Sequence, residues 1–183
     1  MIKVGVMGSA GDTLGGGVLE ELREKAVALG RAIAARGLAV LTGATTGLPH
    51  LVGKTAHDGG ALHVGVSPAG DEREHAEVYQ YPTDSTDVII YTGFGLKGRN
   101  VVLVRSCDIV VFIRGSMGAL NEFTIAHDEG KIIGCLTGTG GVADEAARLL
   151  QTFPKDKGAR IFQDADPDRL LDSCLRAYAN DGL

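Results

Sequence analysis

Between Thr92 and Glu122 the chain reads TGFGLKGRNVVLVRSCDIVVFIRGSMGALNE, and the side chains suited to chemistry on an anionic ligand are concentrated there. Arg99 follows one glycine loop, Gly93 to Gly98, and Glu122 lies just inside the helix that follows a second, Arg114 to Gly118. Each loop opens a predicted helix, so each offers unpaired backbone N–H groups and the positive end of a helix dipole. Taken singly, Arg99 reads as a surface helix residue and Glu122 as an acid that favours the dipole. Taken together on adjacent strand–helix units, they give one crevice a cation and a carboxylate. Gly115 and Gly118 let the backbone approach a ligand closely, so an anion is expected against Gly115, Ser116, Met117, Gly118 and Ala119.

Other candidates belong to loops that leave the same ends of predicted strands. Gly8 and Ser9 follow the first strand. Gly43, Thr45, Thr46 and Gly47 follow the second; they serve equally as anion donors or as turn and cap residues. Thr92, Gly93 and Asn100 flank Arg99, and Arg114 adds charge beside the second loop. The run Gly93–Gly98 also matches G-x-G-x-x-G. A dinucleotide fingerprint, however, belongs on the first strand with an acid closing the next. Here Asp108 opens the next strand and Arg114 closes it, which would suit a 2′-phosphate at best.

These residues need a scaffold, and the apolar pattern supplies one. Short continuous apolar runs predict strands at Lys3–Met7, Leu38–Leu41, Ala61–Val66, Asp87–Tyr91, Ile109–Ile113, Ile132–Leu136 and Arg160–Phe162. Runs apolar on both faces suit a parallel sheet covered on each side. Helices are predicted between them at Val18–Arg36, Gly47–Gly59, Gly98–Ser106, Ala119–Glu129, Val142–Phe153 and Pro167–Ala179, the last with Asp166 as N-cap and Pro167 at its first position. Residues 1–183 are thus expected to form a single α/β domain, a doubly wound, mostly parallel Rossmann-like sheet with helices on both faces. In such sheets ligands lie beyond the carboxyl ends of the strands, where the candidate loops are. The charged stretch Ala69–Tyr81 is the one irregular insert, a solvated loop or short helix, with a lid over the site as the alternative.

Composition narrows the functional classes. The chain carries 27 glycines, clustered after apolar runs, against a background of ~7%. A net charge of −5 with no basic run argues against nucleic-acid binding. No run of ~18 apolar residues predicts a membrane span, and the first residues enter a strand rather than a signal peptide. Cys107, Cys135 and Cys174 are odd in number and widely spaced, which suits reduced thiols in a cytoplasmic protein. The five histidines, His50, His57, His63, His75 and His127, lack metal-site spacing, so no metal is expected.

The pattern G-R-N, seven residues, D, followed by G-x-x-G-x-x-x-E resembles the LONELY GUY (LOG) phosphoribohydrolases and their relatives, once misannotated as lysine decarboxylases. Arg99 falls on that family's catalytic arginine and Glu122 on its catalytic glutamate. The resemblance extends through Gly8-Ser9, the stretch Leu41–Leu48 and Val64–Pro68, over about residues 1–140. Departures are concentrated in the P-G-G-x-G-T-x-x-E motif, where Arg114, Ser116, Ala119 and Asn121 replace the family's residues. Together with the spelling of Thr92–Asn100, they are more similar to a sister branch that includes molybdenum-cofactor carrier proteins. The resemblance implies a small phosphorylated ligand, a bound nucleotide or molybdenum cofactor, and a homodimer or homotetramer. It implies either hydrolysis of the N-glycosidic bond of a nucleoside 5′-monophosphate, with no cofactor required, or a carrier without turnover. Decarboxylation of lysine would need a cofactor-bearing lysine, and none is marked.

Overall fold

A computed structural model describes residues 1–10 and 16–180. The expected glycine loop between Gly8 and Gly17 lies in part outside these residues. The strands are β1 (Lys3–Gly8), β2 (Ala39–Thr42), β3 (His63–Ser67), β4 (Val88–Tyr91), β5 (Ile109–Ile113), β6 (Ile132–Leu136) and β7 (Arg160–Asp164). Helices follow as α1 (Gly16–Ala35), α2 (Leu48–Asp58), α3 (Gly95–Ser106), α4 (Met117–Asp128), α5 (Gly141–Thr152) and α6 (Pro167–Asn180). All strand pairings are parallel, in the order β4-β3-β2-β1-β5-β6-β7. The order reverses between β1 and β5, which makes the switch-point crevice of a doubly wound sheet.

The strands form where their apolar runs are covered on both faces. One core layer joins Leu22, Leu29 and Ile33 of α1, Val52 of α2 and Leu170 and Leu171 of α6 to Val4, Val40, Ile109 and Val111. The other joins Leu103 of α3, Phe123 of α4 and Ala143 and Ala146 of α5 to Met7, Val66, Val110 and Phe112. All five residues of β5 are buried, as are those of β6. The end of the fold also forms as its sequence requires: Asp166 Oδ1 accepts the Arg169 N–H at 3.0 Å and caps α6 behind Pro167.

One element departs from expectation, and a second takes the helical one of its two expected forms. The edge strand β4 leaves one face open: Val88 and Ile90, two residues apart and so on one face, are 50% and 46% exposed, while Ile89 and Tyr91 on the other are half-buried. The reason is topological. The connection from β3 to β4 is a strap, not a packed α-helix, with a short π-helical turn at Glu74–Val78. That strap is also more ordered than a solvated loop, because His75 is fully buried. Its Nδ1 lies 2.8 Å from Ser67 Oγ and its Nε2 lies 3.2 Å from Pro82 O.

Candidate functional site

At the switch point the first turns of α3 and α4 face each other across the end of β1. They enclose a cleft of about 200 Å³. Gly8 and Met7 form its floor, Gly43, Thr45 and Pro49 one wall, and Leu96, Lys97, Arg99 and Asn100 from α3 another. Ser116, Gly118, Ala119 and Glu122 from α4 complete it, with Tyr81 contributed by the strap.

Helix α4 begins without a side-chain cap at Ser116, and its first intrahelical bond runs from Leu120 N–H to Ser116 O at 2.9 Å. The N–H groups of the preceding turn therefore stay unused within the helix, and two of their residues, Gly118 and Ala119, line the cleft. Helix α3 likewise starts without a side-chain cap, at Phe94. Two uncapped helix ends give the cleft a positive potential before any side chain is counted.

Arg99 is 6% exposed, and its position depends on glycine. A Cβ on Gly43 would lie 1.6 Å from Arg99 Nη1, so only a bare Cα lets the guanidinium pass. Nη1 donates to Val66 O at 3.3 Å, whereas the buried Nε has no hydrogen-bond partner among the described residues. Leaving such a donor unmet costs ~1–3 kcal/mol, and the side chain that carries it lines the cleft. Burial lowers the Arg99 pKa, against the opposing pull of Glu122 and Tyr81.

Glu122, 7% exposed, responds in the opposite direction. Burial pushes its carboxyl up to about 7, and the positive charges of Arg99 and Lys97 offset only part of that. Among the described residues no ion pair within 4 Å joins Arg99 to Glu122, because the guanidinium is turned over Gly43 toward Val66. The carboxylate's near neighbour is Asn100 instead. With its amide nitrogen toward the cleft, Asn100 donates to Leu96 O and to Glu122 Oε1, each at 3.0 Å. Its oxygen then lies 2.8 Å from the Asn121 amide and accepts from it once that amide turns its nitrogen inward. The cleft can thus hold an anion at its helix ends and set a near-neutral carboxyl against whatever the anion carries.

The structure brings together Gly8, Gly43, Thr45, Arg99, Asn100, Ser116, Gly118, Ala119 and Glu122 in this cleft. Ser9 sits beside it, its Oγ accepting the Gly115 N–H at 3.3 Å, so that Gly115 has a partner within the chain. Thr46 and Gly47 complete the turn into α2, Gly47 as its N-cap with φ +82°. Thr92 Oγ1 donates to Ser67 O at 2.7 Å and Gly93 N–H to Ala69 O at 2.8 Å, which makes these two residues anchors of the strap. Met117 is 76% exposed and points away.

Arg114 does not face the cleft. Its backbone is left-handed, at φ +57°, which swings the side chain to the far side of the loop. There its N–H donates to Thr139 Oγ1 at 2.7 Å and Nη1 to Thr139 O at 3.2 Å. Charge at the cleft comes instead from Lys97, one turn before Asn100 and easily mistaken for a solvated helix residue. Tyr81 was equally hidden in sequence, since tertiary contacts of the buried His75 with Ser67 and Pro82 hold the strap that carries it. Among the described residues no group of three or more His, Cys, Asp or Glu is placed to hold a metal ion, and no helix is long and apolar enough to cross a membrane.

Comparison with known proteins gives the same frame. An uncharacterized protein from Archaeoglobus fulgidus is 28% identical over 152 residues, covering 83% of this chain and 89% of that protein. The X-ray structure of TM1055 superposes with a TM-score of 0.81 at 28% identity, over 97% of this chain and 99% of the other. The molybdenum cofactor carrier protein from Chlamydomonas reinhardtii shares the fold, with a TM-score of 0.76 at 24% identity over 97% and 98% of the two chains. The model of the SLOG cluster4 family matches residues 1–171, and the chain belongs to that family.

Proposed function

We propose that this protein binds a small phosphorylated ligand, a nucleoside 5′-monophosphate or a compound like it, and hydrolyses its N-glycosidic bond. The observation that carries the reading is the convergence in one cleft of an uncapped helix end, the orphaned donor of Arg99 and the near-neutral carboxyl of Glu122. The phosphate rests on the N–H groups at Gly118 and Ala119, and Arg99 pairs with the ligand rather than with Glu122. The ribose fills the cleft beneath Glu122, which as a carboxylate stabilises the oxocarbenium-like charge at the anomeric carbon and aligns water. The bond from that carbon to the base nitrogen breaks and a carbon–oxygen bond to water forms. One water proton ends on the base, leaving ribose 5-phosphate. No cofactor enters this scheme.

A second reading is a carrier of a phosphorylated cofactor without turnover. It is favoured by the whole-chain likeness to the Chlamydomonas reinhardtii molybdenum cofactor carrier protein and by the replacement of the P-G-G-x-G-T loop. The phosphate end of such a cargo fits the same helix end and Arg99. Incubation with a panel of nucleoside monophosphates separates the two. Release of ribose 5-phosphate supports hydrolysis. No release, with a pterin phosphate found by mass spectrometry on the purified protein, supports the carrier.

We further propose a cytoplasmic homodimer or homotetramer. Three buried free thiols suit a reducing compartment. Exposed Val88 and Ile90 on the edge strand suit burial against a second copy. Light scattering at micromolar concentration is expected to give at least twice the mass of one chain; the mass of one chain alone would contradict this.

A further inference from the structure

We infer that Asn100 is a positioning residue, one that holds Glu122 as a carboxylate aimed into the cleft, with Asn121 locking its amide in the required orientation. This rests on the reading of Glu122 as the group that faces the ligand.

The geometry admits one fully satisfied arrangement. Asn100 is 3% exposed, so its amide cannot turn to water. On one side it meets two acceptors, Leu96 O and Glu122 Oε1, each at 3.0 Å. On the other it meets the Asn121 amide at 2.8 Å. An amide has donors at one end and an acceptor at the other. With Nδ2 toward Leu96 and Glu122, both acceptors are met, and with the Asn121 amide turned in concert, its nitrogen in place of its Oδ1, Asn100 Oδ1 accepts from that nitrogen at 2.8 Å. In the reverse orientation Asn100 Oδ1 faces the Leu96 carbonyl and the carboxylate, setting acceptor against acceptor in a buried place. Protonating Glu122 would relieve only half of that conflict, because its new O–H would need the Asn100 oxygen while the Leu96 carbonyl still opposes it. The pair of amides therefore favours the ionised carboxyl.

The other groups acting on Glu122 do not replace this contact. Lys97 and Arg99, both from α3, favour the carboxylate from beyond ion-pair distance, and the Cys107 thiol at the end of α3 is held neutral by burial, its pKa near 12. Among the described residues, β1 and the loop after β2 present the uncharged Val6, Met7, Gly8, Gly43 and Thr45, and the strap presents the Tyr81 phenol. Burial drives Glu122 toward the acid form, so removal of Asn100, its one short side-chain donor among the described residues, should be visible.

The test is a titration of Glu122 in the ligand-free protein, followed by carbon NMR of labelled glutamate side chains. The Glu122 resonance is identified by its loss in Glu122→Gln. Asn100→Leu is close in size and has no donor; it is expected to raise the midpoint by about one pH unit, a tenfold gain in proton affinity. Asn121→Leu leaves every direct contact of Glu122 in place and is expected to raise the midpoint by less, because Asn100 loses its lock. Unchanged or lowered midpoints in these variants would overturn the assignment. If Asn100→Leu does not fold, Asn121→Leu decides in the same way. No turnover is read, so a failure of hydrolysis and a failure of this assignment are separate results.

Discussion

Two glycine loops in this chain look alike and do opposite things. One follows β5 and opens α4 with Gly115 and Gly118; the other follows β6 and opens α5 with Gly138, Gly140 and Gly141. In the second loop the chain supplies its own acceptors. Asp144 takes the N–H groups of Gly138 and Gly140 at 2.8 and 2.9 Å. Gly115 O and Arg114 O take those of Val142 and Ala143 at 3.1 and 3.0 Å. In the first loop Arg114 N–H meets Thr139 Oγ1 and Gly115 N–H meets Ser9 Oγ, and from there, among the described residues, the helix start opens onto the cleft without a side-chain cap. A glycine loop at a helix start is therefore a receptor only where no side chain of the protein already fills it. Position decides as well: the open loop lies at the switch point, where β1 and β5 send their helices to opposite faces and leave room.

The open loop is expected to tolerate substitution in stability but not in function, and the sharpest break is at Glu122. Glu122→Gln keeps the shape and removes the charge that faces the sugar. Turnover is expected to fall at least ~100-fold with ligand affinity retained, measured as ribose 5-phosphate release beside direct binding. Wild-type turnover is expected to rise with pH through about 7, as Glu122 gives up its proton.

The same variant reports what the open site costs the fold. The folded-state pKa of Glu122 is raised above its ordinary value of 4.5, so the native state binds the proton more tightly than the unfolded chain. Stability from this group is therefore present at low pH and lost as pH rises from 4.5 through about 7. Glu122→Gln is expected to unfold later than wild type at pH 8, by a difference on the order of 3 kcal/mol that closes as pH falls toward the ordinary carboxyl value. Denaturant titrations at several pH values check this.

Next in size is the support of Arg99. Gly43→Ala places a methyl where the guanidinium lies and should displace it. Ligand affinity is expected to fall about tenfold or more, matching Arg99→Ala, since hydrogen bonds to charged groups contribute ~1.5–3 kcal/mol. Calorimetric binding of a nucleoside monophosphate to both variants measures it. The smallest effect belongs to the closed loop. Asp144→Ala opens the α5 end and is expected to cost ~1 kcal/mol of stability, with ligand affinity unchanged. Loss of affinity there would mean that the two loops had been assigned the wrong way round.

Much of this contrast was legible in sequence, and what was not has physical causes. The strands announced themselves because β5 and β6 are buried on both sides and spelled in unbroken apolar runs. Arg99 and Glu122 could be paired because strand–helix alternation fixes which loops share a sheet edge. Arg114 could not be placed, since its direction depends on a left-handed backbone held by tertiary contacts with Thr139 and Ala143. Nor could the absence of an Arg99–Glu122 contact, which turns on the path of the guanidinium over Gly43. Exposure of β4 followed from the strap between β3 and β4, whose charged sequence hid both the buried His75 and the cleft residue Tyr81.

The most direct test of the central claim compares the two loops in a single experiment. Backbone amide resonances are followed by NMR while a nucleoside 5′-monophosphate, and separately inorganic phosphate, is added to the wild-type protein. The shifts are expected to be largest at Gly118 and Ala119, with Gly138 and Gly140 unmoved because Asp144 already holds their N–H groups. Shifts centred on residues 138–143, or no shift at Gly118 and Ala119 while the ligand binds, would contradict the account.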